Sequence, residues 1–352
     1  MTIIVCPNCS RKHHADTSRF AEKKRFVVRC KACEHKFIIN LDHSGVVLPD
    51  AETAATAKPT APVIPTVNAA PQLAEAPSAT PSTHKTPRKI CVSLSKGGVG
   101  KTTTAVNLSA GLAMAGYKVL LIDTDTQGQS SFMLGKKPPA GLTELLTGEL
   151  TPKETIVQAR PNLWLLGGGR SLAGVKRIID KKSFGSEWTL SEAMEEIDKA
   201  YDFVIIDTSP GWDQLTVNVL FYATEVLTPV SLEVMSLHGL AEFTKNLHAI
   251  KKYKDIDLNY ILPTFLDTRV EQPKNIYRKL QSLYDDKVCT PIRYDEQLSR
   301  SPSHGETIFE FLPDGDGAAD YAALVRTITQ DKTILLGGIK GKGKDDTVIP
   351  SL

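Results

Sequence analysis

The sequence predicts an α/β fold: a doubly wound, mostly parallel sheet built around a P-loop, preceded by a small cysteine-rich unit and a disordered linker. Three observations carry this expectation. Apolar strand-like runs alternate with helical patterns from residue 89 onward, as in a parallel sheet covered by helices. One of those runs leads into a glycine-rich loop and then an apolar helix. Ahead of them stand two Cys-x-x-Cys pairs and a stretch rich in Ala, Pro and Thr.

The chain has 352 residues, with 42 Lys/Arg against 40 Asp/Glu and a formal net charge of +2. No run of about 18 apolar residues occurs, so no membrane-spanning helix is expected. The N-terminus lacks the charged start and apolar run of a secretory signal, which points to the cytoplasm. The charge is unevenly spread. Residues 1–43 hold nine basic and four acidic side chains, whereas residues 89–336 hold 27 and 31. The expected organisation is a metal-binding unit over 1–43, a linker over 44–88, a P-loop domain over 89–336 and a flexible tail over 337–352.

In the first segment, Cys6 and Cys9 form one pair and Cys30 and Cys33 the other, with twenty residues between the pairs. A two-residue spacer lets both thiolates of a pair turn onto one ion, and two pairs complete the tetrahedral shell of Zn²⁺. A segment this short rarely builds a sufficient core, so metal would supply much of its folding free energy. Strand-like runs at residues 25–28 and 36–39 flank the second pair. The pattern resembles a zinc ribbon; two disulfides or a redox dithiol are the alternatives. From Ala51 to Pro87, 24 of 37 residues are Ala, Pro or Thr, and seven are proline. That composition cannot offset its own ordering entropy and reads as a semi-extended tether.

The run Lys89–Leu94 reads as a strand. It enters Ser95-Lys96-Gly97-Gly98-Val99-Gly100-Lys101-Thr102-Thr103, and an apolar helix follows. Glycines at 97, 98 and 100 let backbone N–H groups approach phosphate oxygens, and the helix N-terminus adds positive potential. Lys101 would reach the outer phosphates of ATP, and the Thr102 hydroxyl would ligate Mg²⁺. A strand over 118–122 ends at Asp123-Thr124-Asp125-Thr126-Gln127, and a strand over 201–207 ends at Asp207. By position, Asp125 would sit at the Mg²⁺ with Thr102 and orient the attacking water, and Asp207 would hold the metal through its water shell. Further strands are expected at 225–230 and 258–265.

Lys96 at the head of this loop makes the pattern a deviant Walker A motif. With the Asp-x-Asp-x-Gln run and the stretch Ile292–Ile308, the chain resembles the ParA/MinD family of ATPases, and its ParA/Soj branch in particular, over about 89–330. The resemblance implies ATP and Mg²⁺ as cofactors and an ATP-bound homodimer in which Lys96 contacts the partner subunit's nucleotide. It also implies that Pro291 and its neighbours lie near the adenine. It further implies nucleoid association through non-specific DNA binding, and release by a ParB-like or other partner that stimulates hydrolysis. The cargo would be a chromosome, a plasmid or a protein cluster. Arg269 matches a DNA-contact position of that branch, and Lys251 and Lys252 are the neighbouring candidates. Two other readings stay open. A MinD-like membrane ATPase would need a basic amphipathic C-terminal helix, and the glycine-broken tail does not offer one. A zinc-ribbon adaptor would use the ATPase as a dimerisation switch.

Overall fold

The computed structural model describes residues 2–5, 12–15, 25–30, 36–40, 86–180, 182 and 184–336. Cys6, Cys9 and Cys33, nearly all of the expected linker and the tail from 337 lie outside the described residues. The chain divides into two units, Met1–Ser78 and Ala79–Leu352.

The first unit contains two antiparallel hairpins. Strand β1 (Thr2–Val5) pairs with β2 (Lys12–Ala15), and β3 (Arg25–Arg29) pairs with β4 (Lys36–Asn40). The second hairpin falls on the expected runs. The first does not follow from the sequence pattern, because Lys-His-His-Ala lacks apolar alternation. Each hairpin ends in a register that leaves six residues between its strands, Val5↔Lys12 and Arg29↔Lys36. Each Cys-x-x-Cys pair opens one of those six-residue connections, and Cys30 is buried.

The second unit is built on a seven-stranded sheet. Its strands are β5 (Arg88–Val92), β6 (Val119–Asp123), β7 (Ile156–Arg160), β8 (Leu163–Leu166), β9 (Phe203–Asp207), β10 (Glu225–Ser231) and β11 (Leu258–Thr264). Their spatial order is β11-β10-β5-β9-β6-β8-β7. All neighbours are parallel except β7, which pairs antiparallel with β8 at one edge. That edge hairpin was not expected. Its signal is the Pro161-Asn162 turn between two apolar runs, with Asn162 at φ 57°. Strands β6 and β9 are buried along their whole length, as central parallel strands must be.

Six helices of nine residues or more lie among the described residues: α1 (Lys101–Met114), α2 (Leu172–Asp180), α3 (Gln214–Tyr222), α4 (Val234–Ile250), α5 (Glu271–Tyr284) and α6 (Asp316–Thr329). They form two apolar cores, one on each side of the sheet. Leu108, Leu112, Tyr321 and Val325 of α1 and α6 fill one. Leu215, Val219, Leu240, Phe243 and Leu280 of α3, α4 and α5 fill the other.

The register places three strand ends side by side: Val92 lies opposite Asp207, and Asp207 opposite Asp123. The P-loop and both acidic motifs therefore emerge together at the carboxyl edge, where the strand order changes direction. Helix α1 must be held firmly, because its N-terminus forms the cradle. It is buried almost all round from Thr104 to Ala113. At Gly111 a Cβ would stand 2.7 Å from Val325 Cγ2 and 3.1 Å from Phe309. Its missing side chain is what lets α1 and α6 approach. Gly111→Val should lower the melting temperature by several degrees, about 1–3 kcal/mol of overpacking. Calorimetry showing no loss would mean that α6 is not pressed against α1.

Candidate nucleotide and magnesium site

A cleft of about 640 Å³ opens at this edge, lined by Gly97, Gly98, Gly100, Lys101, Thr102 and Thr103. Asp125, Gln127, Gln129, Ser209, Phe265 and Tyr294 lie around its walls. The loop geometry follows from its glycines: Gly98 has φ 72° and Gly100 φ 88°, backbone positions hostile to a side chain. Gly100 caps α1 with no side chain, so amide donors at the helix start are left for an anion. Val99 faces inward instead; its carbonyl accepts the Thr264 hydroxyl at 3.0 Å.

Lys101 is only 6% exposed and donates to the Lys96 carbonyl at 2.8 Å. Burial holds its pKa below the usual lysine range, while Asp207 and Asp125 act in the opposite direction. Asp207 and Asp125 act on the lysine, and Asp123 lies beside those two. Asp123 is structural: its oxygens accept the backbone N–H of Asp125 at 2.9 Å and of Ser130 at 3.1 Å. Burial first, and then Asp207, push its pKa well above the carboxylate range. Asp125 is 7% exposed and accepts the Gln127 N–H at 2.9 Å, which shapes the turn. Asp207 is fully buried and accepts the Ser130 hydroxyl at 2.9 Å. Its other oxygen, Oδ1, is buried with no hydrogen-bond partner. Burial raises its pKa to about 7, while the neighbouring Thr102 and Ser130 hydroxyls act in the opposite direction.

This donor set fits Mg²⁺. A buried orphan carboxylate oxygen beside a threonine hydroxyl is an incomplete oxygen shell. Among the described residues no three His, Cys, Asp or Glu side chains form a ready metal cage. Mg²⁺ keeps waters and takes substrate phosphates as ligands, so a full protein cage is not required. Thr102 and Asp207 are the residues that would hold it.

Comparison with known proteins decides the family. Residues 87–260 match the family described as AAA domain. The chain is 34% identical over 244 residues to the chromosome-partitioning ATPase Soj of Thermus thermophilus, across 68% of this chain and 95% of that protein. It is 32% identical to the sporulation initiation inhibitor protein Soj of Bacillus subtilis, across 68% of this chain and 97% of that one. The chain belongs to the ParA/Soj family of ATPases. Its fold also matches cobyrinic acid a,c-diamide synthase of Mycobacterium smegmatis, solved with an ATP analogue and magnesium, at TM-score 0.62 and 28% identity. That match covers 69% of this chain and 94% of the other.

Within this ParA/Soj ATPase, four expected site residues, Lys96, Val99, Asp207 and Pro291, stand outside the cleft lining, and Val99 and Asp207 are buried. Lys96 turns to the N-terminus of α4, where its Nζ meets Glu233 at 2.9 Å and the Ser236 hydroxyl at 2.8 Å. Pro291 is buried; its neighbours Ile292 and Tyr294 line the cleft instead. The cleft wall formed by Phe265 and Tyr294 was missed by sequence reasoning. Phe265 sits at φ 59°, a left-handed conformation rare for an aromatic residue. Nothing in the residue types signals it.

The expected DNA residues are not gathered in one place. Lys251 and Lys252 follow the end of α4, while Arg269 lies just beyond β11. Because β10 and β11 are parallel, α4 must span the sheet between these points, a length of about 25 Å. Arg269 is 79% exposed, yet its guanidinium is held by both oxygens of Asp267 at 2.8–2.9 Å. That pairing pulls the Asp267 carboxyl down to about 2. Lys251 is paired with Asp257 at 2.6 Å. Lys252 is exposed.

Asp207→Asn tests the buried charge. The carboxyl binds its proton more tightly when folded than when unfolded. Stability of the nucleotide-free protein therefore falls as pH rises from about 4 through about 7. The asparagine variant escapes that loss. Its melting temperature should exceed the parent's by a few degrees at pH 8 and by much less at pH 5, while Mg²⁺-dependent nucleotide binding is lost. A lower melting temperature at pH 8 would overturn this account.

Proposed function

We propose that this ATPase works as a partitioning or positioning device. Two subunits join around ATP, and the homodimer binds DNA without sequence preference at the nucleoid. Hydrolysis stimulated by a ParB-like or other partner then releases it and moves a chromosome, plasmid or protein cluster. The observation that carries this reading is Lys96. The P-loop holds two lysines, and only Lys101 lines the subunit's own cleft. A cation beside the loop, but turned out of the cleft, supports service to a nucleotide in another subunit. The chromosome-partitioning role in the name of the Thermus relative supports the same reading.

In this reading the amides of residues 97–103 cradle the phosphates, and Lys101 compensates their charge. Thr102 and Asp207 would hold Mg²⁺, which would supply charge neutralisation at the phosphate oxygens. Asp125, held by its turn at the cleft, orients the water. Positioning matters more than basicity in a loose phosphoryl transfer, so an ordinary carboxylate suffices. Hydrolysis would free Lys96 to return to Glu233 and Ser236, and the dimer would part. Lys96→Ala should keep monomer affinity for ATP and lose the dimer, read by light scattering with a non-hydrolysable analogue. A dimer that persists would remove the trans role.

We also assign a zinc ribbon to 1–43, a tether to 44–88, the ATPase to 89–336 and a tail to 337–352. The matched placement of both Cys-x-x-Cys pairs at hairpin connections supports four-thiolate binding by Cys6, Cys9, Cys30 and Cys33. Such a closed site has no open position and serves folding, not catalysis. One zinc per chain should be found by elemental analysis of purified protein, and chelation should unfold the ribbon while ATP binding survives. A metal-free protein with the hairpins intact would reject the assignment.

A further inference from the structure

Helix α2 connects the two sides of the cleft. It is launched by Gly167-Gly168-Gly169, which lies on the loop after β6. The Gly169 N–H donates to the Asp125 carbonyl at 3.0 Å. A Cβ on Gly168 would stand 2.7 Å from the carbonyl oxygens of both Asp123 and Asp125. The strap therefore sits in backbone contact with the turn that presents Asp125. One turn into α2, the Lys176 ammonium pairs with Asp213. Asp213 is the N-cap of α3 and accepts the N–H and hydroxyl of Thr216 at 2.9 and 3.1 Å. It stands two residues beyond Gly211, whose N–H donates to the carbonyl of Ser95 at the head of the P-loop. Lys176 and Asp213 both line the nucleotide cleft. Leu172, Val175 and Ile179 anchor the rest of α2 in the core, so the helix is a rigid bar between its two attachments.

We propose that Lys176 is a positioning residue for ATP hydrolysis: by gripping Asp213 it fixes the exit of the loop after β9 to the loop after β6, and so holds the spacing between the Asp125 turn and the Ser209–Gly211 turn. Lys176 reaches the Asp125 turn through the glycine strap and the Ser209–Gly211 turn through Asp213. The pair is half-buried, with side chains 23% and 34% exposed, so solvent screens it less than a surface pair. Asp213 already meets a backbone N–H and a hydroxyl as the helix cap. Its charge is thus spent on Lys176, and the cap would survive without the lysine. The proposal rests on Asp125 acting in the hydrolytic step.

The test uses the full-length protein. Lys176→Met keeps the aliphatic stem and removes the charge. In nucleotide-free protein, hydrogen exchange should rise several-fold in segments 123–129 and 208–216, and stay unchanged in 97–104. The kcat for ATP should fall roughly 5- to 50-fold with KM within about two-fold, the mark of lost positioning and not lost binding. Lys176→Arg should hold kcat within about three-fold. Asp213→Asn preserves the cap and should reproduce the loss, and the double variant should lose no more than either single one. Unchanged kcat in Lys176→Met, exchange altered only within 172–180, or a fall in kcat matched by a fall in folded fraction would overturn the proposal. Asp125→Ala separates the two claims. If that variant hydrolyses ATP normally while Lys176→Met shows both the exchange and kcat effects, the role of Asp125 fails and the coupling stands.

Discussion

Three carboxylates and one lysine are buried together at the carboxyl edge of the sheet, and most of the ATPase domain can be understood as the means of holding them there. Burying charge is costly unless each charge finds a partner. Asp123 finds backbone N–H groups and Asp207 finds Ser130, but Asp207 keeps one oxygen bare. The nucleotide-free site is therefore electrostatically unfinished. A divalent ion and a polyphosphate would complete it, which would link ligand binding to stability without a separate device. The cluster needs a frame that cannot relax around it. Fully buried strands β6 and β9 and a helix α1 enclosed on nearly all sides supply that frame.

The same frame explains why the two P-loop lysines differ. Lys101 begins α1 and is carried by the rigid helix into the carboxylates. Lys96 precedes the glycines, outside that frame, and is satisfied by Glu233 and Ser236 at the next helix. In the proposed cycle Lys96 would exchange these partners for a phosphate, whereas Lys101 stays buried beside the carboxylates. Two lysines five positions apart thus differ, one buried in the cleft and the other paired outside it.

Much of this was legible in the sequence because the relevant signals are local. The alternation of apolar runs gave β5, β6, β9, β10 and β11, and the glycine spacing gave the loop between β5 and α1. The acids stood at the ends of apolar runs, where a parallel sheet presents its ligands. What stayed hidden depends on contacts between distant segments. Lys176 is one lysine among many until α2 is seen against α3. Gly168 is an ordinary loop glycine until its carbonyl neighbours are known. Strands β7 and β8 pair antiparallel against the trend of the sheet. Strand β2 carries two histidines and a lysine in four residues, and only its partner β1 makes it a strand. Pro291, expected near the adenine, is buried outside the cleft lining, and its neighbours Ile292 and Tyr294 line the cleft.

The ion pairs on the candidate DNA residues bear on the proposed cycle. A phosphate reaching Arg269 must displace Asp267, and one reaching Lys251 must displace Asp257. Each exchange trades one charge-assisted hydrogen bond for another, so the net gain per contact is small. The ATPase segment 89–336 is also acidic, which opposes long-range attraction to DNA. A single subunit on this reading binds DNA weakly. Joining two subunits makes the second set of contacts intramolecular and multiplies a weak affinity into a useful one. Weak contacts and an acidic body are then what the cycle requires. In the proposed cycle, control of DNA binding would lie in the dimer, and control of the dimer in the nucleotide that Lys96 would reach from across the interface.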